Sequence, residues 1–326
     1  MTKQSGFIYC YAMDGQGGGA PADPFDLPAP DARGAGYIWL HMDYMSPDVQ
    51  GWMHERSCLD PLVRETLLEE DVRPRAQEFG KGLLVVVRGV NANPGHDPED
   101  MVGLRIWVEP GRILTVRHRR VKAIEDVVDT IKRGKGPRDT LGFLLSVLDL
   151  VTDLISEEVS GIADQVDELE DAVLETESRE LRATLSGIRR QSISIRRYIA
   201  PQRDVFGRLM AEAPSWAVGK GFAIHVRELA DRTIRCVEDL DSARDRAAIT
   251  HEELNSRIAE QMNRTMYILG LVAAIFLPLT FLTGLLGINV GGIPLAENPW
   301  GFVAVCVGLG VVAMLEYFIF RRKNWL

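Results

Sequence analysis

The chain has 326 residues, a formal net charge of −9 and four scattered cysteines, Cys10, Cys58, Cys236 and Cys306, with no CxxC pair. That length leaves room for about two soluble units and a short membrane segment. The acidity argues against nucleic acid as a partner and suits cations, and the cysteines fit a reduced cytosolic body and not a disulfide framework.

The N-terminal MTKQSGFIYCYAM lacks a basic stretch followed by an apolar core, so no cleaved signal peptide is expected. Phe7–Met13 alternates as a strand. Residues 14–36, rich in Gly, Pro and Asp, read as loop. Tyr37–Met42 is a second strand. Ser46–Arg56 and Pro61–Glu70 are short helices, with Ser46 and Asp60 as N-caps and Pro47 and Pro61 at the first helical position. Arg75–Phe79, Leu83–Val90, Val102–Val108 and Ile113–Arg117 are strands, and Val121–Lys132 is a helix. Residues 1–138 therefore form a cytosolic α/β domain with one mixed sheet, whose strand order the sequence does not give.

From Asp139 the apolar residues take helical spacing, and no proline occurs between Pro137 and Pro201. Leu141–Thr176 carries many carboxylates and no basic residue. Glu180–Met210 carries seven arginines. An antiparallel pair with complementary faces is the simplest arrangement. The carboxylates at Asp149, Asp153, Glu157 and at Asp164, Asp171, Glu175 recur about once per turn, a face that hard cations can also use. Phe222–Leu286 has no breaker before Pro278 and alternates acid with base over its first half. A helix of about 65 residues spans on the order of 100 Å and needs neighbours to be stable, which points to an oligomer. Residues 139–265 thus form an all-α bundle and stalk.

Met266–Leu286 is uncharged, and Gly301–Phe320 holds one carboxylate, Glu316. Each is long enough to cross a hydrocarbon core. Residues 266–326 therefore form a membrane hairpin with an outer loop, 287–300. Arg257 and Arg264 precede the first helix, and Arg321, Arg322 and Lys323 follow the second. Positive flanks stay inside, so both termini are expected to be cytoplasmic. The loop carries one charge, Glu297, suited to raising the local cation concentration. These segments from Thr265 onward hold three basic and two acidic residues, a net +1, which leaves −10 on residues 1–264.

The first membrane helix has two unlike faces. One reads Asn263, Met266, Gly270, Ala273, Leu277, Thr280, Gly284, Gly287; the other is bulky, with Ile268, Leu271, Ile275, Leu279, Leu282 and Leu286. A small, slightly polar stripe packs on other helices or lines a water path. Its two ends are amides, Asn263 and the Asn289 of Gly287-Ile288-Asn289. Pro278 is expected to loosen the helix, with Thr280 helping to satisfy the freed carbonyl.

No GxxxxGK[ST], HExxH or GxSxG occurs, so neither ATP-driven pumping nor an enzyme of those kinds has support. The six histidines are dispersed, and the membrane segment holds no histidine and one thiol, Cys306. A stripped zinc ion would require such ligands, so a crossing cation keeps its water and touches amide and carbonyl oxygens. The membrane potential supplies about 2.3 kcal/mol per charge per 100 mV, so about 4.6 kcal/mol for a divalent ion moving inward. Uptake then needs no other energy source.

The order of parts resembles the CorA metal-ion transporter family: a cytosolic α/β domain, a pair of long helices, a very long stalk helix, two C-terminal membrane helices and a basic tail. Gly287-Ile288-Asn289 stands where that family carries Gly-Met-Asn. The isoleucine, the following VGGIP, Arg73-Pro74-Arg75, LLVVVRGVN at 83–91, Asn93-Pro94-Gly95 and Pro98-Glu99-Asp100-Met101 resemble the ZntB-type zinc-transporter branch. The resemblance implies a homopentamer in a bacterial inner membrane, with the first membrane helix lining a central pore. Gly287, Ile288 and Asn289 then form the outer selectivity motif, and Asn263, Met266, Leu277 and Thr280 face the pore. It implies a transported divalent cation, zinc by the branch, with magnesium, cobalt and nickel as alternatives, and no resident cofactor. A membrane-anchored sensor or scaffold is the competing class, for which the first membrane helix should be apolar all round.

Overall fold

The computed structural model describes residues 6–27, 36–70, 73–175, 179–211, 215–217, 220–288, 293 and 298–323. By internal contacts the chain separates into two units, 1–251 and 252–326.

The first unit is built on one seven-stranded sheet: β1 (Phe7–Met13), β2 (Gly19–Pro21), β3 (Tyr37–Asp43), β4 (Arg75–Phe79), β5 (Gly82–Gly89), β6 (Val102–Glu109) and β7 (Arg112–Arg117). Its order is β2-β1-β3-β7-β6-β5-β4. β3 and β7 pair in parallel, with Leu40 opposite Leu114, and the other pairings are antiparallel. The central strands read as nearly continuous apolar runs, YIWLHM and LLVVV, because helices or loops cover both faces. The edges are blunted: β2 has three residues and β4 carries two charges among five. β2 lies inside the stretch that the composition reads as loop. Its GAP has no strand pattern of its own and is extended because it pairs with Tyr11–Met13.

Helices α1 (Pro47–Glu55) and α2 (Pro61–Leu68) cover one face of the sheet. Met53, Val63 and Leu67 pack there with Leu40, Met42, Trp107 and Leu114. Asp60 caps α2 by accepting from the Leu62 amide at 2.8 Å, as its position predicts. Ser46 stands at the N-cap of α1, but its hydroxyl makes no capping bond. Gly82 opens β5 without a side chain for a reason: a Cβ there would fall 2.0 Å from the Trp107 ring.

Helices α3 (Lys122–Lys132), α4 (Thr140–Glu175) and α5 (Arg179–Ala211) follow. On the other face of the sheet Phe143 of α4 meets Trp39 with ring centroids 4.8 Å apart, and α4 and α5 pack on β4, β5 and β6. The buried stripe of α4 includes Phe143, Val147, Val151, Ile155, Val159, Ile162 and Val166, at helical spacing. Each full burial is worth about 1.5–3 kcal/mol, against about 0.2–1 kcal/mol for an exposed ion pair, so the apolar stripe and not the charges holds α4 in place. A 3₁₀ turn at Ser215–Ala217 ties back to the β4–β5 hairpin, where Trp216 Nε1 donates to the Lys81 carbonyl at 2.8 Å.

Helix α6 (Lys220–Leu286) contributes residues to both units and runs without interruption through Pro278. In the second unit its apolar portion is followed by α7 (Gly301–Arg322). Both helices are long and apolar enough to cross a membrane. The architecture is the expected one: an α/β sheet domain, long helices and two apolar C-terminal helices. The partner of the acidic helix is different. Among the described residues the ion pairs of α4 run to α6 and not to the arginines of α5: Arg232 engages Asp149 and Asp153, and Arg246 engages Asp167 and Glu170. The charges of α6 alternate closely enough to supply those arginines, a pattern that block-wise charge counting passes over.

Candidate functional site

The membrane portion of α6 separates its two faces in its middle turns. Leu271, Ile275, Leu279 and Leu282 of the bulky face are half-covered within the chain, whereas Ile268 and Leu286 at its ends are exposed. The small-residue face is bare: Asn263, Thr280, Gly284 and Gly287 are exposed, Met266 keeps 59% of its surface and Leu277 67%. An added Cβ at Gly270 or Gly284 would meet no atom within 4 Å. Close packing against the chain's own second helix therefore does not account for the small side chains.

The helix closes at the predicted motif. The Gly287 amide donates to the carbonyls of Thr283 at 3.0 Å and Gly284 at 3.2 Å, a shared bond that ends the last turn. Ile288 follows and is exposed. Asn289 and Glu297 lie outside the described residues. After Pro278 the Thr283 hydroxyl donates to the carbonyls of Leu279 at 3.0 Å and Thr280 at 3.1 Å, neither of which is the carbonyl that the proline frees. Thr280 is exposed on the bare face.

In α7 the half-covered positions Val305, Leu309, Ala313 and Glu316 lead to the buried Phe320. Glu316 thus lies on the inward face, and its Oε2 is buried without a hydrogen-bond partner among the described residues. Its placement could have been read from the stripe Val305-Leu309-Val312-Glu316-Phe320, which follows the helical repeat.

The acidic face of α4 is divided in its use. Asp149 is bonded by His225 Nε2 and, at 3.6 Å, by Arg232, which also pairs with Asp153. Arg246 reaches Glu170 and Asp167, and these two carboxylates hold its proton affinity above the usual arginine value. Glu158 accepts from Gln191 Nε2 at 2.9 Å, and burial, with Glu99 nearby, raises its carboxyl above the ordinary range. Glu157 lines a cleft of about 280 Å³ with Asn91 and Gly161. Asp164 and Asp171 are exposed, and the Glu175 side chain lies outside the described residues. Among the described residues no three His, Cys, Asp or Glu side chains converge in a way that could hold a metal ion.

The geometry can be set beside known proteins. The family model described as "CorA-like Mg2+ transporter protein" matches residues 34–322. The divalent cation transporter CmaX of Pseudomonas aeruginosa is 40% identical over 326 residues, covering 99% of this chain and 98% of CmaX. The zinc transport protein ZntB of Yersinia enterocolitica is 36% identical over 319 residues, covering 98% and 96%. The structure of full-length CmaX superimposes with a TM-score of 0.86 at 39% identity over 99% of both chains. The CorA magnesium transporter of Methanocaldococcus jannaschii, 23% identical, shares the fold with a TM-score of 0.81 over 98% of this chain and 99% of that one. With the bare small-residue stripe ending at Gly287-Ile288 and these matches across its length, the chain belongs to the CorA-like transporter family and is a divalent cation transporter.

Proposed function

We propose that this transporter carries zinc, as a hydrated ion, through a pore on the axis of a homopentamer in a bacterial inner membrane. The observation that carries the proposal is the bare stripe of α6, Asn263 to Gly287, which the chain itself leaves uncovered over several helical turns. Five copies of that face turned inward give a path of amide, hydroxyl and carbonyl oxygens with no fixed charge, which suits an ion that keeps its water. Met266 and Leu277 narrow the path, and Asn289 with the Gly287 carbonyl selects at its outer mouth. Glu297 recruits cations there, and the basic residues beside both helices keep the termini cytoplasmic.

Support for zinc over magnesium comes from the isoleucine at 288 and from likeness to the zinc transport protein ZntB. Among the candidate cytosolic carboxylates, Asp149 and Asp153 are committed to Arg232, which leaves the exposed Glu157, Asp164 and Asp171 to attract cations diffusely. The three-part division at residues 138 and 265 assigns support to the long helices and conduction to the hairpin. No reaction chemistry is required of any of them. Isotope uptake into proteoliposomes, with competing magnesium, cobalt and nickel and an imposed pH gradient, tests the choice of ion and its coupling. Zinc should compete best. Mass measurement in mild detergent should give a species of five subunits, and a monomer that still conducts would exclude the axial pore.

A further inference from the structure

A cleft of about 320 Å³ opens on the α/β unit between the ends of β5 and β6 and helix α5. It lies within the first unit, away in sequence from the stripe of α6. Three arginines line it, Arg88, Arg105 and Arg119, with Tyr44 and Tyr198. Arg105 is an arginine in the middle of a buried strand, and only 3% of it is exposed. Such a group is retained at a desolvation cost and needs a partner for each of its N–H groups. Its Nη2 donates to the Glu70 carbonyl at 2.9 Å and to the Glu69 carbonyl, and its guanidinium lies 4.7 Å from the centre of the Tyr44 ring. Its Nε is buried and finds no acceptor among the described residues.

A second guanidinium converges on the same place. Arg88 stacks on Tyr198, 4.9 Å from the ring centre, and its Nη1 donates to the Met101 carbonyl at 3.3 Å. Above Gly103 the two side chains meet across a missing methyl. A Cβ at that glycine would sit 3.8 Å from Arg105 Nη1 and 3.8 Å from Arg88 Nε. The two nitrogens are therefore no more than twice that distance apart. Burial, and to a lesser degree the Arg88 charge, weakens the hold of Arg105 on its proton. Arg119 is exposed at the rim, and neither it nor Arg105 is ion-paired among the described residues. Glu70, Glu99 and Asp100 also line the cleft. They match the three arginines in number, so a bare halide gains little there, while an oxyanion that takes several directed N–H bonds gains most.

We propose that this cleft binds a phosphate group, gripped by Arg88 and Arg105 over Gly103 with Arg119 at the entrance. The phosphate is either free inorganic phosphate or the phosphomonoester of a nucleotide. The cavity is larger than a bare phosphate, and the rim carboxylates can accept from the hydroxyls of an attached sugar.

Isothermal titration calorimetry on the purified full chain in detergent tests this, with inorganic phosphate, AMP, adenosine and chloride as separate titrants. Saturable binding of phosphate or AMP is expected, weakening as sodium chloride is raised. Tighter binding of AMP than of phosphate identifies the nucleotide as the source; equal affinity identifies free phosphate. Gly103→Ala adds only an ordinary contact to the fold and fills the cradle, so it should weaken binding at least tenfold with an unchanged melting temperature. Arg119→Ala, at the exposed rim, should weaken it several-fold. No saturable binding of either anion at millimolar concentration, binding of adenosine as tight as that of AMP, or unchanged affinity in Gly103→Ala would overturn the assignment.

Discussion

Thr115→Val should destabilise the α/β unit far more than its change of shape suggests. Thr115 is fully buried in β7, and its Oγ1 accepts from Trp39 Nε1 at 2.8 Å and donates to the Leu40 carbonyl at 3.2 Å. His41 Nδ1 is 2.9 Å from the same oxygen. Arg117 Nε donates to His41 Nε2 at 2.9 Å, so Nε2 is the acceptor and the imidazole proton is on Nδ1, aimed at Thr115. Valine fills the same volume but strands two buried donors, on Trp39 and His41. Each stranded donor costs about 1–3 kcal/mol, so about 2–6 kcal/mol in all, a large part of the total stability of an ordinary domain. Thr115→Ser keeps the hydroxyl and loses one methyl, about 1 kcal/mol. Urea denaturation followed by tryptophan fluorescence reads both variants, with Trp39 as a reporter inside the network. Equal midpoints for the valine and serine variants would refute the reasoning.

Three further outcomes follow from other residues. His41 is held neutral because burial, and then the Arg117 charge, push its pKa well below the ordinary value of 6.5; its contribution to stability is present above pH 6.5 and should fall away below it, as the unfolded chain takes up the proton first, by at most about 1.4 kcal/mol per pH unit. Denaturation midpoints that do not drop between pH 6.5 and 5.5, or that drop equally in His41→Gln, would contradict this. Gly82→Ala drives a methyl into the Trp107 ring and should cost about 1–3 kcal/mol, whereas Gly161→Ala, where a Cβ meets nothing, should be neutral or stabilising in the same denaturation assay. Glu297→Gln should slow cation uptake more at low ionic strength than at high; uptake reduced equally at all salt concentrations would deny it a recruiting role.

Much of the fold is legible in the sequence because strong periodicity and punctuation coincide. Apolar runs bounded by turn residues locate the strands of the sheet to within a residue or two, and the absence of proline and glycine marks the long helices. What the sequence does not yield depends on tertiary pairing. β2 is a strand only because Tyr11–Met13 lies beside it, and the arginines that neutralise α4 come from α6 because helix packing, not block charge, chooses partners. The bare stripe of α6 was readable, since small residues at helical spacing persist from Gly270 to Gly287. The arginine cleft was only half visible. Arg88 and Arg105 each interrupt an apolar strand, which flags a buried charge, but their convergence over Gly103 depends on the antiparallel register of β5 and β6.

The central claim is that a neutral amide at the outer end of the first membrane helix selects the transported ion, and zinc uptake by proteoliposomes bearing Asn289→Gly tests it most directly. Glycine preserves a residue able to end the helix and removes the amide. The account predicts a variant that assembles and inserts normally yet loses divalent uptake, while Asn289→Asp binds cations more tightly and changes the order of preference. Normal zinc uptake by a fully assembled Asn289→Gly protein would contradict the account.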